Sequence, residues 1–233
     1  MEKETVSKEQ INDIITWFLY SVECIESYRL IHKYYCDNRV DWYNKFAIAP
    51  GFVHYTNRAV QHGLMAELMR LFDNDGKSIT INFLCSECYK HSEFFHPGIK
   101  DENGAVHEFN VQEVVRQYQR EKKGYSSALS NLHEQRNKIW AHTDVKYAGK
   151  PFDAESDFPV SWGEIEDIIA ITRDFLTLLE AGLNGEYKHH KFASGEDILY
   201  LFNAIPDDYF EKNHKSIPQI VSCPQLRLEI NSE

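Results

Sequence analysis

Apolar residues recur every three or four positions along most of this chain, and this helical spacing constrains the fold more than any other feature. In the first segment, Ser7 and Gln10 form a capping-box pattern ahead of such a run. The run contains Ile11, Ile14, Ile15, Phe18, Val22 and Ile25. It predicts a long first helix that reaches about Tyr35.

The same spacing predicts further helices, and no stretch alternates polar and apolar residues for long enough to require a sheet. Residues 100–106, "KDENGAV", have the composition of a loop. The expected helices run from about Tyr55 to Phe72, from Thr80 to about Phe95, from Phe109 to Ala141 with a break at Gly124, from Ser161 to a stop at Gly182, and from Gly195 to Asn203. The fold class that we expect is all-α, a helical bundle.

The length of 233 residues, of which 42% are apolar, is enough for one sizeable core. We predict a single helical domain over residues 1–205. Residues 206–233 contain three prolines and little periodicity, so we predict an irregular C-terminal tail there.

The absence of a long apolar run indicates a cytoplasmic protein with no membrane segment. No run approaches 18 apolar residues, and the N-terminal stretch "MEKETVSKEQ" is charged and polar. The five cysteines are an odd number scattered along the chain, which favours reduced thiols.

The net charge of −11 excludes a broadly basic surface that coats nucleic acid. The charge is uneven, because residues 111–150 contain eight basic and four acidic residues and are therefore net positive. Any site for a polyanion is expected to be local to that segment.

An arginine stands within the apolar stripe of the helix that contains "LHEQRNKIWAHTDV", residues 132–145. On a helical wheel, Arg136 lies about 40° from Leu132. Four other residues of the stripe fall within about 60° of Leu132, namely Tyr125, Ala128, Leu129 and Ile139. A buried guanidinium without a partner costs several kcal/mol, so Arg136 requires an anion.

The anion for Arg136 is either an internal carboxylate or a ligand, and the residues alone leave both alternatives open. His142 lies about 120° around a straight helix from Arg136 and roughly 9 Å further along its axis. A straight helix therefore does not bring both side chains to one face, so either the helix frays at Ala141 or another surface completes the site. A histidine near a helix C-terminus is also explained by the helix dipole alone.

Three segments that follow one another along the chain resemble the HEPN superfamily, and within it the AbiU2-like branch of abortive-infection proteins. "RNKIWAHTD" is similar to the superfamily motif, in which four to six residues separate an arginine from a histidine. It is preceded by "LMRLFD" at 68–73 and followed by "SWGEIEDIIAITRDFLTLL" at 161–179. The resemblance spans roughly residues 10–200. It implies a HEPN-like helical bundle with additional helices.

The resemblance also implies an activity, because many HEPN proteins are endoribonucleases that need no metal. They often form dimers in which two motifs face one cleft. On this basis His142 is expected to exchange protons, Arg136 to stabilise charge on phosphorus, and Asn137 to orient the RNA. The residues expected to contact RNA are Lys138, Trp140 and Asp144. No metal or cofactor is expected.

The partners implied are a second copy of the chain, an RNA substrate, and a cognate antitoxin or nucleotidyltransferase. In some HEPN toxins a nucleotidyltransferase modifies a tyrosine two residues after the motif histidine. Asp144 occupies that position here, and Tyr147 is the nearest tyrosine.

Two alternatives to an endoribonuclease remain open. One is a non-catalytic HEPN module that binds RNA or a protein. The other is an all-α scaffold in which Arg136 pairs with an internal carboxylate.

"CSECYKH" has half of the ligand spacing of a zinc knuckle, at Cys85, Cys88 and His91. A fourth ligand and a second pair are missing, so buried core thiols are the favoured interpretation. The pair His189 and His190 is expected to lie in a solvated loop.

Overall fold

The computed structural model describes residues 6–73, 78–140, 145–147, 151–188, 197–206 and 208–209. Within these ranges the chain forms nine α-helices, one short hairpin, two 3-10 turns and one π-helix. The helices are α1 (Lys8–Asp37), α2 (Tyr43–Ile48), α3 (Pro50–Phe72), α4 (Ile81–Lys90), α5 (Val111–Lys123), α6 (Ser126–Gln135), α7 (Pro151–Asp157), α8 (Trp162–Asn184) and α9 (Asp197–Asn203). The 3-10 turns are Ser92–Phe94 and Val145–Tyr147, and the π-helix is Arg136–Trp140. The all-α prediction is confirmed.

The capping box predicted at Ser7 is present, and a second one begins α8. The Gln10 backbone N–H donates to Ser7 Oγ at 3.2 Å, and the Ser7 N–H donates to Gln10 Oε1 at 2.8 Å. At the start of α8, Glu164 N–H donates to Ser161 Oγ at 3.1 Å and Ser161 N–H donates to Glu164 Oε2 at 2.8 Å. Each pair satisfies backbone donors that the first turn of a helix leaves without a partner.

The predicted stop of α8 at Gly182 is wrong. The helix continues to Asn184 and ends at Gly185, whose φ of 79° is the left-handed conformation that glycine adopts at helix C-termini. Gly182 has a packing reason instead, because a Cβ atom there would lie 2.3 Å from the Phe109 ring. The glycine lets α8 pass close to Phe109.

The structure adds elements that the apolar spacing did not predict. α2 and α7 are too short for their spacing to stand out, and the predicted third helix ends at Lys90 and is followed by a 3-10 turn. The hairpin pairs β1 (Gly98–Lys100) antiparallel with β2 (Val106–Glu108), with Ile99 opposite His107. Its turn is held by the Asp101 carboxylate, which accepts from the N–H groups of Asn103 and Ala105, both at 2.9 Å.

The described residues of Met1–Glu26 and His62–Ala193 form one compact unit. In its core, the Tyr118 ring of α5 stacks on the Phe175 ring of α8 with centroids 4.1 Å apart. The Tyr118 hydroxyl is 3.0 Å from Thr172 Oγ1, and both residues are buried. Burial raises the pKa of Tyr118, so the phenol stays protonated. This packing fixes α5 against α8.

The described residues of Ser27–Gln61 and Ser194–Glu233 form a second compact unit. Tyr35, Trp42 and Phe202 are its buried aromatic centre. The Trp42 and Phe202 rings stack with centroids 4.8 Å apart. Residues 207 and 210–233 of the predicted tail lie outside the described residues, so the boundary at 205 stays a prediction.

Within the described parts of the chain, no helix has both the length and the apolar character needed to cross a membrane.

Candidate functional site

The motif arginine follows a helix that is held by buried apolar residues and by two side-chain hydrogen bonds. α6 buries Ala128 and Leu132, each about 2% exposed. Asn131 donates from its side chain to the Pro159 carbonyl at 2.8 Å, and Gln135 donates to the Phe158 carbonyl at 2.7 Å. These bonds hold α6 against the segment that precedes α8. They do so in the two turns directly before the π-helix that begins at Arg136.

The helix changes from α to π at Arg136 and stays π through Trp140. A π-helix closes its hydrogen bonds over five residues, so each residue turns through less than the α-helical angle of about 100°. The straight-helix angle of about 100° per residue therefore does not apply between Arg136 and Trp140. π-turns of this kind occur frequently at functional sites.

Arg136 is a partly exposed side chain with two described polar neighbours. Its Nη1 donates to Asn137 Oδ1 at 3.1 Å. Its Nη2 lies 3.7 Å from Asp73 Oδ2, which is close enough for charge interaction and too long for a hydrogen bond. The Arg136 side chain is 36% exposed, so the guanidinium is at the edge of the apolar stripe and is not sealed in the core.

Asp73 faces a histidine as well as the arginine. It follows the last residue of α3, and its Oδ1 lies 3.8 Å from Nδ1 of His133. That nitrogen is buried and makes no hydrogen bond to a described residue. His133 and Arg136 are three residues apart, which places them on one helical face. Sequence reasoning missed both Asp73 and His133, although the i, i+3 spacing was visible in "HEQR".

A pocket of about 640 Å³ opens beside Arg136. Its size is within the range of small-molecule sites in proteins. Residues from α1, α3, the segments directly after α3 and before α4, and the π-helix line it, namely Trp17, His62, Met65, Ala66, Met69, Arg70, Asp73, Ser78, Ile79 and Arg136. The wall combines two arginines and a carboxylate with thioether and indole surface.

The structure places only some of the predicted site residues. Arg136 and Asn137 are brought together, and Lys138 is half-buried on the π-helix. For Trp140 the structure describes the backbone alone. His142 and Asp144 lie outside the described residues.

Comparison with family models identifies the chain. The model for the HEPN family AbiU2 matches residues 13–201. This chain belongs to the HEPN AbiU2 family. The match covers the stretch that ends in Asp73, the motif at Arg136 and the whole of α8, and it confirms the resemblance seen in the sequence. Searches of curated proteins and of solved structures gave no significant match.

For this HEPN protein, the tyrosine nearest the motif is not presented to solvent. Tyr147 is 4% exposed, and its hydroxyl donates to the Asp157 carboxylate at 2.8 Å. Lys146 Nζ also lies 2.9 Å from that hydroxyl. A modifying enzyme would have to break these contacts to reach Tyr147.

The two cysteines of "CSECYKH", which have half of the ligand spacing of a zinc knuckle, are core residues of this HEPN protein. Cys85 and Cys88 are fully buried, and burial raises the pKa of the Cys85 thiol to about 12 and that of Cys88 further. The His91 ring stacks on Phe94 and lies 3.2 Å from Glu93. Among the described residues, no group of three or more His, Cys, Asp or Glu side chains lies together as a metal site would.

Proposed function

We propose that this HEPN AbiU2 protein is an endoribonuclease that cleaves RNA without a metal ion, in bacterial defence or as the toxin of a toxin-antitoxin pair. The observation that carries the proposal is the position of Arg136. A motif arginine at the edge of a pocket, 36% exposed and 3.7 Å from its nearest described carboxylate, is suited to an anion that arrives from solution. An RNA phosphate matches the planar, forked guanidinium.

The proposed reaction uses the 2'-hydroxyl of the RNA as nucleophile. His142 accepts the proton of the 2'-hydroxyl, the 2' oxygen bonds to phosphorus, and the bond from phosphorus to the 5' oxygen breaks. An imidazolium returns a proton to that 5' oxygen. Arg136 stabilises the charge that develops on the phosphorane, and Asn137, which already holds Arg136 at 3.1 Å, keeps the guanidinium oriented. The products are a 2',3'-cyclic phosphate and a 5'-hydroxyl.

The proposed site is completed by a second copy of the chain. Isologous contact between two copies brings the motif of each chain to one shared cleft. The proposed RNA contacts are Lys138, Trp140 and Asp144, next to the catalytic residues on the same segment.

A second candidate function is a non-catalytic HEPN module that binds RNA or a protein partner. The proximity of Asp73 favours it, because a carboxylate 3.7 Å from Arg136 already offsets part of its charge. In that case the motif is kept for structure, and a cognate antitoxin or a nucleotidyltransferase is the natural class of protein partner.

The decisive experiment is incubation of the purified protein with mixed RNA, with and without a chelator. We expect cleavage in both samples, ends that carry 2',3'-cyclic phosphate, and no cleavage of an all-deoxy copy of the same strand. Arg136→Ala is the negative control for a contaminating nuclease. Loss of activity in the chelator, or cleavage of the deoxy strand, contradicts the proposed chemistry, and intact RNA in all samples favours the non-catalytic module.

A further inference from the structure

The pocket beside Arg136 contains side chains that the cleavage chemistry does not use. Trp17 of α1 and Met65, Met69 and Arg70 of α3 line it together with the motif arginine. Proton transfer and phosphate stabilisation need none of these four. Their chemistry therefore indicates what else the pocket holds.

Trp17 and Arg70 form a stacked pair on the pocket wall. The Arg70 guanidinium carbon lies 5.1 Å from the centre of the Trp17 ring, within the range of a cation–π contact. Glu67 also holds the arginine, because Arg70 Nη1 donates to Glu67 Oε2 at 2.7 Å. The indole is 44% exposed, so part of the ring remains accessible to a ligand. Unpaired nucleobases stack on aromatic side chains such as indole and on guanidinium planes.

The remaining wall fits a planar, weakly polar ring system. Met65 and Met69 are 8% and 6% exposed, and thioether side chains adapt their shape to aromatic surfaces. Arg136 supplies positive charge at the same pocket. A purely apolar ligand would make no use of the positive charge of Arg136, and a simple inorganic anion would make no use of the indole and thioether surface.

We propose that this pocket binds a nucleotide, with the base against the Trp17 and Arg70 stack, flanked by Met65 and Met69, and the phosphate at Arg136. The cavity of about 640 Å³ is large enough for one nucleotide. The nucleotide comes either from the RNA strand, which rests on the proposed endoribonuclease function, or from a free mononucleotide. In the first case the pocket is the subsite that holds the base next to the cleaved bond.

The test measures binding by isothermal titration calorimetry with two probes. One is a short 2'-O-methyl oligoribonucleotide, which has no 2'-hydroxyl to attack and stays intact, and the other is a mixture of AMP and GMP. Trp17→Ala removes the stacking surface, and Ala66→Leu fills the pocket from an exposed position on α3. Trp162→Ala is the matched control for the first, since Trp162 is 46% exposed and does not line the pocket. Ala59→Leu, at another exposed alanine of α3, is the control for the second.

We expect both pocket variants to raise the Kd by about tenfold or more, as loss of a stacked base does, and both controls to stay within about twofold of wild type. Binding of the oligonucleotide alone assigns the pocket to the strand. Binding of AMP or GMP that the oligonucleotide does not displace assigns it to a free nucleotide. Both results support the proposal.

Two results overturn it, namely no binding of either probe to wild type and an unchanged Kd in both pocket variants. If variants with an unchanged Kd also fall from dimer to monomer, the pocket wall is a subunit contact. The endoribonuclease proposal fails separately. If the oligonucleotide binds in a Trp17-dependent way and RNA is never cleaved, the nucleotide-pocket proposal is supported and the endoribonuclease proposal is refuted.

Discussion

Arg136 and Asp73 lie side by side without a hydrogen bond, with Nη2 and Oδ2 separated by 3.7 Å and with the two side chains 36% and 17% exposed. A partly solvated pair at that distance contributes little to stability, of the order of 0–1 kcal/mol. The same carboxylate competes with an incoming phosphate for the guanidinium. Removal of Asp73 therefore distinguishes the three interpretations of Arg136, as a catalytic residue, as part of a non-catalytic module and as one half of an internal ion pair. Each predicts a different effect of Asp73 on RNA binding and on stability.

Asp73→Asn is expected to tighten RNA binding by about two- to fivefold, since it removes a negative charge that repels the phosphate. The free energy of unfolding is expected to change by about 1 kcal/mol or less. The measurements are the Kd for a 2'-O-methyl oligoribonucleotide and the urea midpoint. A loss of about 3 kcal/mol or more would identify a structural ion pair and support the scaffold interpretation.

Arg136→Ala and His142→Ala are each expected to abolish RNA cleavage and to leave the far-UV circular dichroism spectrum unchanged. The first removes the charge that stabilises the phosphorane, and the second removes the proton acceptor. Asn137→Ala is expected to cause a partial loss of cleavage activity, because it removes only the hydrogen bond that orients Arg136. Arg58→Ala, at an exposed arginine of α3, and His107→Ala, at a histidine 63% exposed on β2, are the matched controls. Wild-type cleavage rates in both motif variants would refute the assignment.

The protein is expected to be a dimer of about twice the 27.3 kDa chain mass in light scattering at micromolar concentration. The proposed contact is between the helices around residues 125–142. Ser130→Arg places a long charged side chain at an exposed position of α6 and is expected to yield monomers. Ser86→Arg makes the same change at an exposed position of α4 and should leave the mass unchanged. Monomeric wild type argues against a composite cleft.

Gly182→Ala is expected to destabilise the protein by about 1–3 kcal/mol, because the new Cβ meets the Phe109 ring at 2.3 Å. Gly163→Ala on the same helix meets nothing closer than Ser161 Oγ at 3.9 Å, and it should be neutral or slightly stabilising. Urea denaturation measures both. Adding Phe109→Leu to Gly182→Ala should recover part of the loss, and strictly additive losses would show that the ring is not the cause.

Native thiol labelling at pH 8 is expected to modify Cys36, which is exposed, and to spare Cys85 and Cys88. The raised pKa of the two buried thiols keeps them protonated, and protonated thiols are poor nucleophiles. Mass spectrometry after labelling with and without denaturant identifies the sites. Rapid native labelling of Cys85 would indicate that α4 opens readily or that a ligand site had been missed.

The helices were predictable where a cap and a long periodic run coincided. Ser7 and Ser161 each marked a true start, because capping is a local property of a few consecutive residues. Gly182 was misread for the opposite reason, since only the three-dimensional contact with Phe109 explains a glycine inside α8. Short elements such as the hairpin at Asp101 are specified by turn hydrogen bonds that leave almost no periodic pattern.

The candidate site was predictable in part. The sequence indicated Arg136 because an arginine in an apolar stripe is anomalous by itself. It did not indicate that Asp73 lies beside it, since the two residues are distant in the chain. Nor did it reveal the change to a π-helix at Arg136, because apolar spacing over five residues does not distinguish the two helix types.

The aromatic centre of the second unit has a consequence for the order in which the protein is made. Trp42 and Phe202 stack on each other but lie 160 positions apart in the sequence. A ribosome that adds about 5–20 residues per second makes Phe202 about 8 to 32 seconds after Trp42 on every nascent chain. During that interval the face of the Trp42 ring that Phe202 covers is open to chaperones and to other nascent chains, and a chain that stops before α9 lacks the ring that covers it.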